Sequence, residues 1–127
     1  MSDITTNGIR VQVVSKYLPE RSNPQDNDYW FAYFIRISNV GEVTAQLVSR
    51  HWIITDLDGE VEEVKGEGVV GKQPVLEPGS SFDYNSFCQL KTAVGSMHGS
   101  YLMSTTKGTS FEATIAPFTL AVPTALN

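Results

Sequence analysis

In residues 29–39, Tyr-Trp-Phe-Ala-Tyr-Phe-Ile-Arg-Ile-Ser-Asn, every second side chain is large and apolar: Phe31, Tyr33, Ile35 and Ile37. A period of two belongs to a β-strand, whose successive side chains point to opposite faces of a sheet. The other set, Trp30, Ala32 and Phe34, is apolar only until Arg36 and Ser38 return it to water. One face of this strand must therefore enter a core, and half of the other needs a cover. The cover is either the polar segment before it or a second copy of the chain.

The rest of the chain repeats the pattern in weaker form. Residues 9–16 alternate, with Ile9, Val11 and Val13 against Arg10 and Gln12. Residues 17–27 contain Pro19, Pro24 and several Ser, Asn and Asp residues, which makes them a long polar connection. Residues 43–56 read as a strand whose phase slips, since Val43, Ala45 and Leu47 carry the apolar face early and Trp52 and Ile54 carry it late. One extra residue near Ser49 and Arg50, a β-bulge, reconciles the two phases and makes Trp52 a core anchor. Asp58-Gly59 turns the chain into an antiparallel return over residues 60–65. Further strands are expected at 80–90, at 99–106 and 109–115 as a hairpin turned at Lys107-Gly108, and at 116–122. Residues 95–100, Gly-Ser-Met-His-Gly-Ser, read as a tight connection.

No stretch carries an apolar stripe of period 3.6. At least seven short strands separated by turn signals predict an all-β fold, an antiparallel immunoglobulin or fibronectin type III-like β-sandwich, with a closed barrel as the competing architecture. At 127 residues the chain is one domain, taken as 3–127, with enough length for a real core.

Strand-like patterning stops at residues 64–79, where glycine, proline and charge take over. Gly66, Gly68 and Gly71 satisfy G-x-G-x-x-G, and Gly66, Gly71 and Lys72 begin G-x-x-x-x-G-K-[ST], but Gln73 stands where the hydroxyl should be. Both motifs work through a following helix, whose N-terminal N–H groups and dipole meet the phosphates. Pro74 and then Pro78-Gly79 forbid that helix. What survives is a weaker anion nest, with glycines turning N–H groups inward and Lys72 nearby. The competing reading is a connection across the end of the sandwich, with Val69 and Val70 tucked in.

Charge excludes more than it suggests. The chain has nine Lys and Arg residues, scattered, against fourteen Asp and Glu residues, a net charge of −5. No basic stripe exists to hold a phosphate backbone, so nucleic acid is not an expected partner. No apolar run approaches the ~20 residues of a membrane helix, and the first residues lack the basic and apolar regions of a signal peptide. A single cysteine, Cys88, allows no internal disulfide and fits a cytoplasmic protein. The acidic residues gathered between Asp56 and Glu67 resemble a calcium loop at Asp56-Leu57-Asp58-Gly59, but Val61 occupies the obligatory glycine position. They read as a solvated hairpin.

No catalytic set emerges. His51 and His98 are the only histidines, and neither they nor Cys88 sit in a nucleophile or metal-ligand signature. No cofactor, metal or enzymatic activity is expected. Trp30 and Phe34, with Arg50 and His51 beside Trp52, make the candidate interaction surface. Gly66, Gly68, Gly71 and Lys72 make the candidate anion loop.

Four separated segments then resemble a known family. They are Ser49-Arg50-His51-Trp52-Ile53-Ile54-Thr55-Asp56, residues 66–79 with their three glycines and Glu77-Pro78-Gly79, Gly95-Ser96-Met97-His98-Gly99-Ser100-Tyr101, and Ile115-Ala116-Pro117-Phe118-Thr119-Leu120-Ala121-Val122-Pro123. In this order, with Phe31-Ala32-Tyr33 and Asn39-Val40-Gly41 ahead of them, they resemble the bacterial ApaG family over nearly the whole chain. The resemblance implies a fibronectin type III-like sandwich, also found appended to some eukaryotic F-box proteins and to a DNA polymerase delta-interacting protein as an interaction module. It implies an association with cobalt tolerance and magnesium efflux, a gene neighbourhood shared with diadenosine tetraphosphate hydrolase, and a suggested contact of the glycine motif with pyrophosphate or nucleotide. Many members have Thr-Ser-Gly where this chain has Asn85-Ser86-Phe87. Two functions follow as expectations: a non-enzymatic module that binds a protein partner or, as a dimer, a second copy of itself, or a weak pyrophosphate or diadenosine polyphosphate sensor.

Overall fold

Among the described residues alternation becomes nine strands: β1 (Ser2–Thr6), β2 (Ile9–Tyr17), β3 (Tyr29–Asn39), β4 (Ala45–Asp56), β5 (Val61–Glu67), β6 (Val75–Leu76), β7 (Ser81–Leu90), β8 (Val94–Thr105) and β9 (Ser110–Ala121). The computed structural model describes residues 1–126, and side chains through residue 124, so the last residue of the expected domain, Asn127, lies outside the described residues. One sheet runs β1-β2-β3-β7 and the other β5-β4-β8-β9, with β6 on the same side of β4 as β5. Every pairing is antiparallel. Two separate sheets make a sandwich and not a closed barrel.

The core lies where the alternation puts it. Ile9, Val11, Val13, Phe31, Ile35 and Ile37 are buried from the first sheet; Leu47, Trp52, Met97, Tyr101, Met103 and Leu120 face them from the second. Trp52 is 3% exposed and packs against Tyr33, Tyr101 and Phe118, with ring centroids 5.3, 6.3 and 6.0 Å away. The expected slip in β4 is present. Leu47 pairs with Met103 and Ser49 with Leu102, so Val48 is the extra residue, and Leu47 and Trp52 both reach the core.

Two expectations about boundaries are corrected, and one strand is added. Residues 109–115 and 116–122 are one strand, β9, because a bulge absorbs the proline: Ala116 and Pro117 together oppose His98, between the pairs Met97 with Phe118 and Gly99 with Ile115. β9 is an edge strand, where a missing N–H is tolerated. Residues 95–100 are not a connection but the interior of β8. Their small side chains reflect close packing against β4, not a turn. And β1, too polar to read from the sequence, pairs with β2 from Ser2 opposite Val13 to Thr6 opposite Ile9.

The two long sides of the sandwich differ. On one, β9 lies against β1 and β2: the Ser15 hydroxyl donates to the Thr119 carbonyl at 2.9 Å, and the Thr114 N–H to Thr6 Oγ1 at 3.3 Å. On the other, β5 and β7 are both edges, and among the described residues no backbone hydrogen bond joins them. That side stays open.

A candidate binding cleft on the open side

The glycine segment is a detour in the edge beside β4. Gly66 pairs with Arg50, and the Arg50 guanidinium lies flat on it: a Cβ there would meet Cζ at 2.8 Å. Nη1 of Arg50 donates to the carbonyls of Glu67 at 3.0 Å and Gly68 at 2.9 Å. The Gly68 N–H donates to the Val48 carbonyl at 2.9 Å, after which the chain reverses within four residues. Val69 and Lys72 exchange two backbone bonds of 2.8 and 2.9 Å, and Val70 and Gly71 between them have φ of 44° and 78°, as a type I′ hairpin requires. Leu47 then donates to the Pro74 carbonyl at 3.0 Å and β6 resumes the edge. No helix follows Gly71.

Each glycine of the motif thus has its own geometric reason. Gly66 makes room for a guanidinium, Gly68 sits where a Cβ would lie 2.2 Å from the Lys72 carbonyl oxygen, and Gly71 holds a left-handed turn position. The N–H groups of Val69 and Lys72 are spent inside the hairpin, and that of Gly68 is spent on the Val48 carbonyl of β4. Val69 is buried in the core, as the tucked-in reading expects, whereas Val70 is exposed.

Arg50 is also where the open side acquires chemistry. It stands within electrostatic reach of three tyrosines, Tyr33, Tyr84 and Tyr101, and favours their ionised forms against the burial that disfavours them. Among the described residues it has no carboxylate in salt-bridge contact. The cleft it borders, of about 360 Å³, lies between β5 and β7 and is floored by Tyr33 and Trp52, with Glu62 and Val64 on one wall and Ser86, Cys88 and Gln89 on the other. It continues past Arg50 to Val69, Val70 and Tyr84 as a hollow of about 200 Å³. In the other direction it continues past Ile54, Glu62 and Gln89 to Asp56, Glu60 and Lys91 as one of about 380 Å³.

Burial decides the ionisation here. Desolvation raises the pKa of Tyr84 and Tyr101, whose hydroxyls hydrogen-bond each other, and it pushes the Cys88 thiol up to about 12. These groups hold their protons more tightly folded than unfolded. Their contribution to stability is therefore complete below the unfolded values, roughly 8.5 for Cys and 10 for Tyr, and is lost as pH rises through the folded values. We expect stability to fall steeply above about pH 9, with Tyr84→Phe and Cys88→Ser each flattening that loss in denaturation measured at stepped pH. A flat profile to pH 11 would contradict the burial argument. A thiol held protonated is also a poor nucleophile.

The sequence-derived site residues separate. Trp30 and Phe34 share the outer face of the first sheet, and Trp30 also borders the cleft with Arg50. His51 points the other way from Arg50 and Trp52, and its Nε2 lies 2.8 Å from Glu63. Of the four candidate surface residues, then, Trp30 and Arg50 line the cleft, Arg50 and His51 both line a hollow beside Gly66, and Phe34 joins neither. Lys72 is exposed at the hairpin. Alternation in residues 80–90 was enough to place Tyr84, Ser86 and Cys88 on one face, but not to show that this face borders an open edge. Among the described residues, no three of His, Cys, Asp or Glu gather to hold a metal, and no helix is long and apolar enough to cross a membrane.

A family model described as ApaG domain matches residues 19–105. The chain belongs to the ApaG domain family. It is similar to Protein ApaG of Dechloromonas aromatica (strain RCB), 56% identical over 127 residues and 100% of both chains, and to Protein ApaG of Anaeromyxobacter dehalogenans (strain 2CP-C), 58% identical over the same span. Its fold is similar to the crystal structure of an ApaA protein from Bordetella pertussis, with a TM-score of 0.89 at 50% identity, covering 91% of this chain and 94% of that one. In this ApaG domain the glycine motif and Arg50 form one structural unit.

Proposed function

We propose that this ApaG domain is a non-enzymatic interaction module that binds a protein partner through the outer face of its first sheet. The observation that carries the reading is an apolar patch in the middle of that face: Val14, Phe34 and Phe87 are 51%, 47% and 48% exposed on adjacent strands, where a solvated sheet would carry polar side chains. The loop before β3 covers only part of it, through Arg21, whose guanidinium sits 4.4 Å from the Trp30 ring and 5.3 Å from Phe87. Among the described residues Arg21 and Lys16 border the patch without a salt bridge, whereas Arg36 is held by Asp83. Charge complementarity therefore favours a partner with an apolar centre and an acidic rim over a second copy of the same face. In this reading the family's association with cobalt tolerance and magnesium efflux is exercised through that partner, in the cytoplasm.

A photo-crosslinking residue at Phe34 is expected to give one protein adduct in cells, lost when Lys16 and Arg21 are both changed to Glu. The same probe at Leu102, on the other sheet, should give none. Adducts equal at the two positions, or only crosslinked dimers of this chain, would overturn the acidic-partner reading. Weak pyrophosphate or diadenosine polyphosphate binding at Gly66, Gly68, Gly71 and Lys72 has narrower support, in the N–H groups of Val70 and Gly71 and the Lys72 ammonium. Amide shifts on titration of diadenosine tetraphosphate, abolished in Lys72→Ala, are its test.

A further inference from the structure

We infer that the free edge of β7 accepts an extended peptide as an added antiparallel strand, its alternate side chains lying in the cleft between β5 and β7. This site is distinct from the outer-face patch, which it adjoins at Phe87 of the same strand. The two edges that border the cleft are protected very differently. β5 carries Glu62, Glu63, Lys65 and Glu67 in seven residues, the usual charged defence against unwanted pairing. β7 has ten residues, no proline, no lysine and one charged residue, Asp83, already held by Arg36 at 2.8 Å. An undefended ten-residue edge is a template for strand addition, in which backbone bonds supply affinity and pockets for alternate side chains supply selectivity.

The charge along the cleft says which peptide fits. Next to Gln89 and Leu90 it is lined by three carboxylates, Asp56, Glu60 and Glu62, against one cation, Lys91, so that this end is acidic on balance. Next to Tyr84 and Ser86 it ends at Arg50, whose Nη1 is occupied by two carbonyls and which has no carboxylate partner among the described residues. Between them lies the aromatic floor of Tyr33 and Trp52. A strand antiparallel to β7 begins beside Leu90 and ends beside Tyr84, a span of roughly 20 Å. Its first residue therefore meets the acidic end and its last meets the guanidinium. With a side-chain period of two, the cleft-facing positions are the first, third, fifth and seventh. The matching occupant is basic at the first, apolar at the third and fifth, and acidic at the seventh.

The probe is acetyl-Lys-Thr-Phe-Thr-Val-Thr-Glu-amide, titrated into the full-length protein labelled with nitrogen-15. We expect shifts in the amides of residues 84–90 and in the indole N–H of Trp52, slowed hydrogen exchange along β7, and unmoved amides at Val14 and Phe34. Exchanging the terminal Lys and Glu is expected to weaken binding at least tenfold. Arg50→Met should abolish the preference for a terminal Glu over a terminal Gln. Because Arg50 also holds the glycine hairpin, the decisive control leaves the protein unaltered: N-methylating alternate peptide amides on the edge-facing side should abolish binding. No shift at millimolar peptide, equal binding of the charge-exchanged or N-methylated peptide, or protection of β7 by self-association without peptide would each overturn the inference. The outer-face reading would survive all of these, since its crosslink at Phe34 does not involve this edge.

Discussion

Trp52→Ala is expected to destabilise the protein by about 3–5 kcal/mol, the range for truncating a large aromatic in a core. The residue is 3% exposed and touches aromatic rings from both sheets, with Tyr101 and Phe118 edge-on at 87° and 88°. Truncation removes the transfer free energy of the indole and leaves a cavity beside the cleft that the rigid sheets cannot close. For a domain of this size a change of 1 kcal/mol moves the melting temperature by about 4 °C, so a drop of roughly 10–20 °C is expected. Thermal and chemical denaturation measure it. A loss below 1 kcal/mol would mean that Trp52 does not join the two sheets as described.

Gly99→Ala, although it adds one methyl group, is expected to be nearly as damaging. Its Cβ would stand 1.9 Å from the His51 carbonyl oxygen and 3.1 Å from the Trp52 Cα, both backbone atoms of the neighbouring strand. A clash with a side chain can relax by rotation, whereas this one must push β8 away from β4 in the middle of the second sheet. Overpacking usually costs about 1–3 kcal/mol, and a backbone obstacle puts this site at or above the top of that range. Ser100→Ala on the same strand is the matched control and should change stability by less than about 0.5 kcal/mol. If both variants unfold at the same denaturant concentration, the close approach of β8 to β4 is wrong.

Much of the fold was legible because burial on one face of a sheet writes itself into every second residue. β2, β3 and β7 were placed almost to the residue, and the slip in β4 foretold a bulge that the structure puts at Val48. What misled was chemistry with more than one cause. Gly95 and Gly99 look like turn residues, yet they are small because backbone packs on them; a Cβ at Gly95 would lie 2.7 Å from the Thr55 carbonyl oxygen. Pro117 looks like a strand end, yet a bulge on an edge accommodates it. β1 left no trace, being short and nearly free of large apolar side chains.

The same ambiguity governs the glycine motif. The sequence alone showed that residues 66–72 lack a helix to present to a phosphate, since the prolines downstream are local constraints on backbone angles. It did not show that Arg50, sixteen positions earlier, is the reason for Gly66, because that contact exists only once β5 lies beside β4. Periodicity and turn chemistry act between near neighbours in the chain, and so the composition of the strands, their facing and the all-β class were determined by the sequence as written. Which strands are edges, which side of the sandwich stays open and which charges line it depend on contacts between residues far apart. Those were decided by the tertiary structure, through the packing of one sheet on the other.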